Sequence, residues 1–290
     1  MTPHRSAYTA AHVAAFLFGL TGILGAVIHA SALFISWGRA GFALLCLAAV
    51  SRVTQQSLTR GLTSPKALVL ALAGLFLGAH WLTFFLAVQV GGVGVATLGF
   101  ASFPAFIAIL DVLVFRDRIQ IGEGVLLVLI TLGLVLVTPS FELNNRGTQG
   151  LLWGLASGLA FALLAITNRR GARGIPSLQI AFWQNIVVAV LLLPWALSEL
   201  TGLTLSDWGF LLLLGVLCTG IAQFLFVKSL EQLDARQAGV IIALEPVYAI
   251  AGAWWLFNEQ PSARMIGGAL LIIAASVAST RLSKRRAPSN

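Results

Sequence analysis

Charged residues are scarce in this chain: Asp, Glu, Lys and Arg together make up 10% of its 290 residues. Soluble globular proteins carry about 25% charged residues and roughly 45–50% apolar ones. Here the hydrophobic share reaches 58%. This balance excludes an ordinary water-soluble domain and indicates a protein whose surface faces lipid.

Cysteine is also scarce, with two residues in the chain, Cys46 and Cys218. Both lie inside apolar runs and far apart in sequence, so they provide neither a disulfide framework nor a cluster of metal ligands. We interpret both as small packing residues. The sequence therefore predicts no metal site and no cofactor.

Residues suited to catalysis inside a membrane are few, since the chain has four histidines and ten acidic residues. None forms an HExxH motif, a serine–lysine or paired-aspartate dyad, or the acidic motif of prenyl transfer, so an intramembrane enzyme is the weaker interpretation. The net charge of +8 would suggest nucleic acid for a soluble domain. Here the basic residues lie between apolar segments and no nucleic-acid motif is present, so no nucleic-acid partner is predicted.

Apolar sequence is abundant, in runs long enough to cross a bilayer. A transmembrane helix needs about 20 mostly apolar residues, because roughly 30 Å of hydrocarbon is crossed at about 1.5 Å per residue. The first run resembles a signal peptide, but no convincing cleavage site precedes the second, so we keep it as a span. The ten runs are residues 10–30, 32–50, 67–90, 92–115, 121–138, 149–168, 177–199, 208–230, 237–257 and 265–281. They predict an all-α integral membrane protein with ten transmembrane helices.

The basic residues are distributed unevenly between the loops. If the N-terminus is cytoplasmic, 15 of the 18 Lys and Arg residues fall on the cytoplasmic side, and Arg39, Arg146 and Arg264 remain for the outer half. The positive-inside rule therefore places both termini in the cytoplasm, and an even number of spans agrees with this. We expect a multi-pass protein of the bacterial inner membrane.

The chain contains an internal copy of itself. A shift of 142 residues superposes these pairs: Gly78 and Gly220, Pro104 and Pro246, Asp117 and Glu259. Five predicted spans separate each residue from its copy, and an odd number reverses the direction of the chain in the membrane. We predict two inverted five-helix repeats, residues 1–140 and 141–290. This is the pattern of membrane transporters whose site lies between the halves near the midplane. A duplicated scaffold without transport is the alternative.

The residues around the two prolines resemble the EamA family of the drug/metabolite transporter superfamily. The second half has the sequence LEPV followed by Glu259, and the first half has SFPA followed by Asp117 at the same spacing. Glycines follow in both fifth spans. Two features depart from the family pattern: Phe103 stands where the second half has Glu245, and the first acid is an aspartate. The resemblance implies ten helices in two repeats and a transport function. It defines the substrate poorly, since relatives are similar to exporters of amino acids, other metabolites and drugs.

Glu245 and Pro246 lie near the middle of the ninth predicted span. An ionised carboxylate at this depth costs roughly 2.5–3.5 kcal/mol on insertion scales. We therefore expect Glu245 to face a wet cavity, to be protonated, or to have a partner such as Arg39 or the amino group of a substrate; a packing carboxyl group is the alternative. Each proline removes a backbone hydrogen bond, so Pro104 and Pro246 are predicted to kink their helices, as hinges or as static bends.

Polar and aromatic residues at depth complete the predicted site. Its expected form is a cavity with aromatic walls and a few polar anchors, drawn from His80, Trp81, Phe84, Trp183, Gln184, Asn185, Gln223, Glu245, Tyr248, Trp37 and Arg39. For His80 the alternative is a structural hydrogen bond, and for Arg39 the favoured alternative is a side chain that extends to the outer surface. The phenylalanines are expected mostly to face lipid. The GxxxG pairs Gly74–Gly78 and Gly154–Gly158 are expected to allow close helix packing.

The resulting hypothesis is an inner-membrane secondary transporter that moves a small organic solute outward by alternating access. An amino acid is the first substrate class, with a preference for aromatic or hydrophobic side chains. Uniport and proton-coupled transport both fit, and Glu245 and His80 are the residues through which protons would couple. Efflux of drugs or toxic compounds and uptake of a metabolite are the alternatives, and a channel is a third. The expected partners are the solute and membrane lipid, with the protein a monomer or a weak homodimer.

Overall fold

The computed structural model describes residues 3–115, 121–138, 142–172, 174–229, 233, 241–242 and 244–282. Within these ranges all regular structure is helical. The helices are α1 (Pro3–Val27), α2 (Ala32–Thr54), α3 (Ser64–Gly91), α4 (Val93–Phe100), α5 (Phe103–Phe115), α6 (Ile121–Val137), α7 (Arg146–Gly171), α8 (Ser177–Ala196), α9 (Leu205–Gly215), α10 (Ala222–Ser229), α11 (Glu245–Phe257) and α12 (Ala263–Leu282). A 3₁₀ turn, Leu197–Glu199, follows α8, and a π turn, Val216–Ile221, joins α9 to α10.

Seven helical segments in the described ranges are long and apolar enough to cross a membrane. Two shorter apolar helices, Leu127–Val137 and Ala263–Ala275, accompany them. By the length and composition of its helices, the described part of the chain is therefore all-α and typical of a multi-pass membrane protein, as the composition predicts. The count of ten spans rests partly on the predicted ninth span, of which residues 237–240 and 243 lie outside the described residues. Asp117 and the basic residues 284–286 lie outside them too.

The two faces of the bundle can be told apart by contacts between loops and helix ends. At one face the indole Nε1 of Trp183, in the second turn of α8, donates to a carbonyl of the α2–α3 loop at 2.8 Å. We call this the Arg60 side, after a residue of that loop. At the other face Ser31, just before α2, donates its N–H to Glu199, just after α8, at 3.0 Å. We call this the Glu199 side. Helices α2 and α8 therefore run in opposite directions.

Helices α4 and α11, which belong to different predicted halves, are also antiparallel. The N–H of Val93, at the start of α4, lies 3.4 Å from a carboxylate oxygen of Glu259, just beyond the end of α11. Likewise the N–H of His29, after α1, donates to Asp207 in the first turn of α9 at 2.9 Å. In each of these pairs a helix of the first half thus lies beside a helix of the second half and runs in the opposite sense.

Each of the repeated prolines opens a new helix. Helix α4 ends at Phe100, and α5 begins at Phe103 with Pro104 in its first turn. In the second half α11 begins at Glu245, and Pro246 again lies in the first turn. The first turn tolerates proline because an N–H there has no intrahelical partner. At Pro104, where the sequence predicts a kink, the structure therefore shows a complete break between two helices. At Pro246 it shows the start of a helix.

The two breaks share backbone geometry at the offset of 142 residues. Ser102 donates its N–H to Gly99 O at 3.2 Å, and Leu244 donates to Ile241 O at 3.0 Å. The members of each pair are three residues apart, and in both halves this hydrogen bond directly precedes the next helix. The repeat that the sequence shows in side chains is also present in the hydrogen bonds of the main chain.

Each break packs against a glycine of the opposite half. A Cβ atom added to Gly158 of α7 would lie 2.9 Å from Ser102 Oγ, and one added to Gly19 of α1 would lie 3.0 Å from Glu245 O. Only glycine admits the main chain this closely. Gly154 packs against Gly99 in the same way: a Cβ atom added to either glycine would lie 3.0 Å from the Cα atom of the other. The pair Gly154–Gly158 therefore allows close packing, as its spacing predicts.

Phenylalanines form a large part of the interior. Phe34, Phe84, Phe85 and Phe100 are each at most 9% exposed. The expectation that the phenylalanines mostly face lipid is wrong for these four. Aromatic rings fill large volumes, and here they belong to one core cluster that includes residues of both halves.

Candidate functional site

Arg39 is the central charge of the candidate site. It lies inside α2, is 6% exposed, and donates from Nε to Thr219 Oγ1 at 2.7 Å. Its Cζ lies 4.2 Å from the centre of the Trp81 ring, in cation–π contact. The expectation that Arg39 extends to the outer surface is wrong. A hydrogen bond and an aromatic face stabilise the charge inside the bundle, where a bare guanidinium would be costly.

Thr219 reaches Arg39 from the π turn between α9 and α10. Its hydroxyl donates to Leu214 O at 3.0 Å, five residues earlier, so its oxygen remains free to accept from Arg39. The flanking glycines let α2 approach: a Cβ on Gly215 would lie 2.7 Å from Arg39 O. π turns of this kind occur often at functional sites.

Glu245 supplies the opposite charge. It is half-buried at the start of α11, and its carboxylate and the Arg39 guanidinium attract each other electrostatically. Among the described residues its carboxylate accepts no hydrogen bond and has no cationic partner within 4.0 Å. The helix N-terminus favours a negative charge at this position. Arg39 from the first half and Glu245 from the second thus carry opposite charges but form no ion pair with each other.

A cavity of about 300 Å³ shares Trp81 with this charged cluster. Helices α3, α7, α8 and α10 line it, so both halves contribute. Its polar and aromatic lining consists of Trp81, Phe161, Asn168, Gln184, Asn185 and Gln223. Asn168 is in the last turn of α7, and the α8 residues are near the start of that helix, so the cavity lies toward the Arg60 side. Its volume is at the small end for ligand pockets, which favours a small solute.

Asn185 lines this cavity and has an unused side-chain acceptor. The residue is 1% exposed; its Nδ2 donates to Ala181 O at 2.8 Å, while its Oδ1 has no partner among the described residues. A backbone carbonyl can only accept, so this bond fixes the orientation of the amide and makes the unpaired atom the oxygen. A buried acceptor without a partner costs about 1–3 kcal/mol. Gln184, by contrast, donates to Asn168 Oδ1 at 2.7 Å.

His80 and Phe84 lie beside the cavity, in an aromatic cluster at the break between α4 and α5. His80 Nδ1 is 2.8 Å from Ser157 Oγ, and its ring centre is 4.9 Å from that of Phe100. Phe103, at the position equivalent to Glu245, stacks on Phe100 at 5.3 Å. The first-half break is therefore filled by rings, whereas the second-half break carries a carboxylate.

Three predicted residues lie away from the cavity. Trp183 is bonded to the α2–α3 loop on the Arg60 side. Tyr248 packs edge-to-face on Phe16 of α1, with ring centres 5.7 Å apart. Trp37 packs on Phe34 within α2. The expected grouping of His80, Gln223, Tyr248 and Trp183 around one cavity is therefore not what the structure shows; of these four, Gln223 alone lines it.

The sequence prediction missed Phe161 and Asn168 on α7, and Thr219. The α7 residues that line the cavity are Phe161, Leu164, Ala165 and Asn168. Their spacing of three and four residues puts them on one helix face, a signal that is present in the sequence. Asn168 precedes Arg169 and Arg170 and ends the predicted span, so the sequence does not mark it as a site residue. For Thr219 no sequence signal marks the π turn.

Comparison with known proteins agrees with this architecture. The model of the EamA-like transporter family matches residues 5–138 and again 148–281. The S-adenosylmethionine uptake transporter of Rickettsia bellii is 27% identical over 217 residues, which cover 74% of this chain and 73% of that protein. The pseudopaline exporter of Pseudomonas aeruginosa is 24% identical over 182 residues, covering 62% of this chain and 63%, less than two thirds, of the exporter.

A solved crystal structure shares the fold. It superposes with a TM-score of 0.66 at 18% identity and covers 97% of this chain and 98% of its own. Two copies of the family pattern, transporter relatives and a matching fold over nearly the whole length lead to one assignment. The chain belongs to the EamA-like transporter family.

Proposed function

We propose that this protein is a secondary transporter of the bacterial inner membrane that carries an amino acid, or a close derivative of one, by alternating access between its two halves. The observation that carries the substrate class is that buried Arg39 and half-buried Glu245 carry opposite charges and form no ion pair with each other. A zwitterion brings a carboxylate for the guanidinium and an ammonium group for the carboxylate. Charge-assisted hydrogen bonds of both kinds are stronger than neutral ones.

The direction of transport that we propose is outward. Relatives are named both for uptake and for export, so family membership leaves the direction open. The cavity lies toward the Arg60 side, where Arg52, Arg60 and Lys66 are found. The positive-inside rule makes this the cytoplasmic face, with both termini on it. A cavity on this side supports loading of the solute from the cytoplasm.

Movement between inward-open and outward-open states is assigned to the two halves, residues 1–140 and 141–290. Pro104 and Pro246 lie where a helix begins, so small changes of backbone angle there can reorient α5 and α11. Both prolines are buried, and each break rests on a glycine of the other half. Hinges are typically a few residues at the ends of helices. This supports their role as hinges.

A proton is the proposed coupling ion, and Glu245 is its proposed carrier, because an acid at membrane depth without a protein partner is typical of proton relays. His80 is the second candidate and is already held by Ser157.

Efflux of apolar drugs is the alternative that the aromatic walls, Trp81 and Phe161, would favour. Drug efflux would leave the charges of Arg39 and Glu245 without a role. We propose a monomer or a weak homodimer in lipid.

A ligand screen followed by exchange in proteoliposomes tests the proposal. Purified protein is first screened by thermal shift with the twenty amino acids, since a ligand of the folded state raises the melting temperature. Amino acids that bind are then tested for counterflow, together with the corresponding amine without the carboxylate and the corresponding acid without the amine. The expected result is exchange of the zwitterion and at least tenfold weaker exchange of both analogues. Equal exchange of an amine or an acid would contradict the amino-acid assignment. Flux without trans-stimulation would indicate a channel.

A further inference from the structure

The cavity beside Trp81 is lined by Asn185, whose buried side-chain oxygen accepts from none of the described residues. We propose that it is the side-chain subsite for the transported amino acid, and that it selects a planar, uncharged group carrying an N–H donor, such as a carboxamide or an N–H-bearing heteroaromatic ring. The inference rests on the proposed function, because the charged pair of Arg39 and Glu245 is taken to hold the other end of the same solute.

The requirement for a donor follows from Asn185. Its Oδ1 is buried and has no partner in the part of the chain that the structure describes, and the bond from its Nδ2 to Ala181 O prevents the amide from presenting the nitrogen instead. A solute group that donates a hydrogen bond satisfies this oxygen; one that only accepts, or that is apolar, leaves it unpaired. Gln223 also lines the cavity, and its amide bonds to none of the residues that the structure describes. It can donate or accept.

The requirement for an uncharged group follows from the rest of the lining. None of the described residues that line the cavity carries a charge: its polar groups are the amides of Asn168, Gln184, Asn185 and Gln223 and the indole of Trp81. A cation or anion placed here would be desolvated without a counter-charge, which is costly. Carboxamides match the hydrogen-bonding groups of neutral amides and heterocycles.

The requirement for planarity follows from the two rings. Trp81 of α3 and Phe161 of α7 both line the cavity, from different halves of the chain. Aromatic faces prefer flat partners in offset or edge contact. Trp81 also contacts Arg39, at 4.2 Å from Cζ to the ring centre, and so joins the subsite to the charged cluster. One solute can therefore occupy both places.

Matched pairs of amino acids that differ in the N–H donor test the inference. Dissociation constants are measured on purified protein for L-tryptophan and 1-methyl-L-tryptophan, and for L-glutamine and the γ-methyl ester of L-glutamate. In the wild type, the N–H member of at least one pair should bind about tenfold more tightly, the size of one buried hydrogen bond. Asn185→Leu should bring the two members of that pair to within about twofold of each other.

The control variant is Gln179→Leu, which makes a similar change on the same helix. Gln179 is buried but does not line the cavity, so the preference should persist. If Asn185→Leu aggregates, Asn185→Ala, which adds no volume, takes its place. Pairs that bind equally in the wild type, or a preference that survives in the Asn185 variant, overturn the subsite and leave the amino-acid proposal standing. If no amino acid binds the folded wild type, the proposed function fails and the subsite fails with it.

Discussion

Glu259 lies against the first turn of α4, with its carboxylate oxygens 3.4 Å from the backbone nitrogen of Val93 and 3.5 Å from that of Gly94. These N–H groups have no partner within the helix, and the helix N-terminus carries partial positive charge. The acid belongs to the second half of the chain and the helix to the first. A side chain of one half thus acts as the cap for a helix of the other.

Two more acids of the second half make contacts of the same type on this side. Asp207 accepts from the N–H of His29, and Glu199 accepts from the N–H of Ser31, the residue that caps α2. All three contacts are at the Glu199 side, opposite the cavity. The two halves are therefore joined by carboxylates at the face opposite the cavity.

Glu259→Gln is expected to weaken this junction. The amide keeps the shape of the side chain but loses the charge that the helix N-terminus favours, which is worth about 0.3–1 kcal/mol at low salt. The melting temperature should fall by a few degrees. It is measured by thermal unfolding in detergent at low and high salt. Because salt screens such interactions, the difference between variant and wild type should shrink at high salt. Equal melting temperatures at low salt would contradict the charge contribution.

Arg39→Lys is expected to impair transport even though it keeps the charge. The ammonium group of lysine cannot reproduce the planar fork that donates to Thr219 and contacts the Trp81 ring. A lost hydrogen bond to a charged group costs about 1.5–3 kcal/mol, so exchange should fall roughly tenfold to a hundredfold. Counterflow of a bound amino acid measures this.

The matched control is Arg52→Lys on the same helix. Arg52 is exposed at the Arg60 side, so the change should leave exchange unchanged within about twofold. Equal rates for Arg39→Lys and the wild type would mean that Arg39 stabilises the fold and does not bind solute.

The orientation of the bundle predicts which loops can be labelled from each side. A cysteine in place of Leu143, which is 70% exposed on the Glu199 side, should react with an impermeant maleimide from outside the cell. A cysteine at position 284, which lies beyond the described residues, should react only after the membrane is permeabilised. Labelling of both from the same side would overturn the predicted placement of the termini.

The sequence predicts features of this protein that depend on local pattern, and it fails where distant residues decide. The position of the breaks follows from two prolines at a fixed offset. The burial of Arg39 cannot be predicted from local pattern, because its partners are distant in sequence: Trp81 on α3 and Thr219 in a π turn of the other half.

The stretch Trp183-Gln184-Asn185 shows a different kind of miss. Successive residues of a helix point about 100° apart, so three in a row cannot all face one cavity. The structure turns Gln184 and Asn185 into the cavity and Trp183 to a loop. Helical geometry is therefore enough to exclude the prediction that all three residues line the same cavity.

Glu245→Gln tests whether the carboxylate at the start of α11 holds the ammonium group and couples transport to protons. The wild-type carboxylate must be ionised to attract a cation, so amino-acid binding should weaken as the pH falls and the group becomes protonated. Glutamine stays neutral, so the variant should bind at least tenfold more weakly at neutral pH, and its affinity should change little with pH. Binding is measured across a pH series, and size-exclusion chromatography confirms that the variant is folded. Affinity and pH profile equal to the wild type would assign Glu245 to packing, and Arg39 would then remain as the only buried charge near the cavity, among the described residues, to hold the solute.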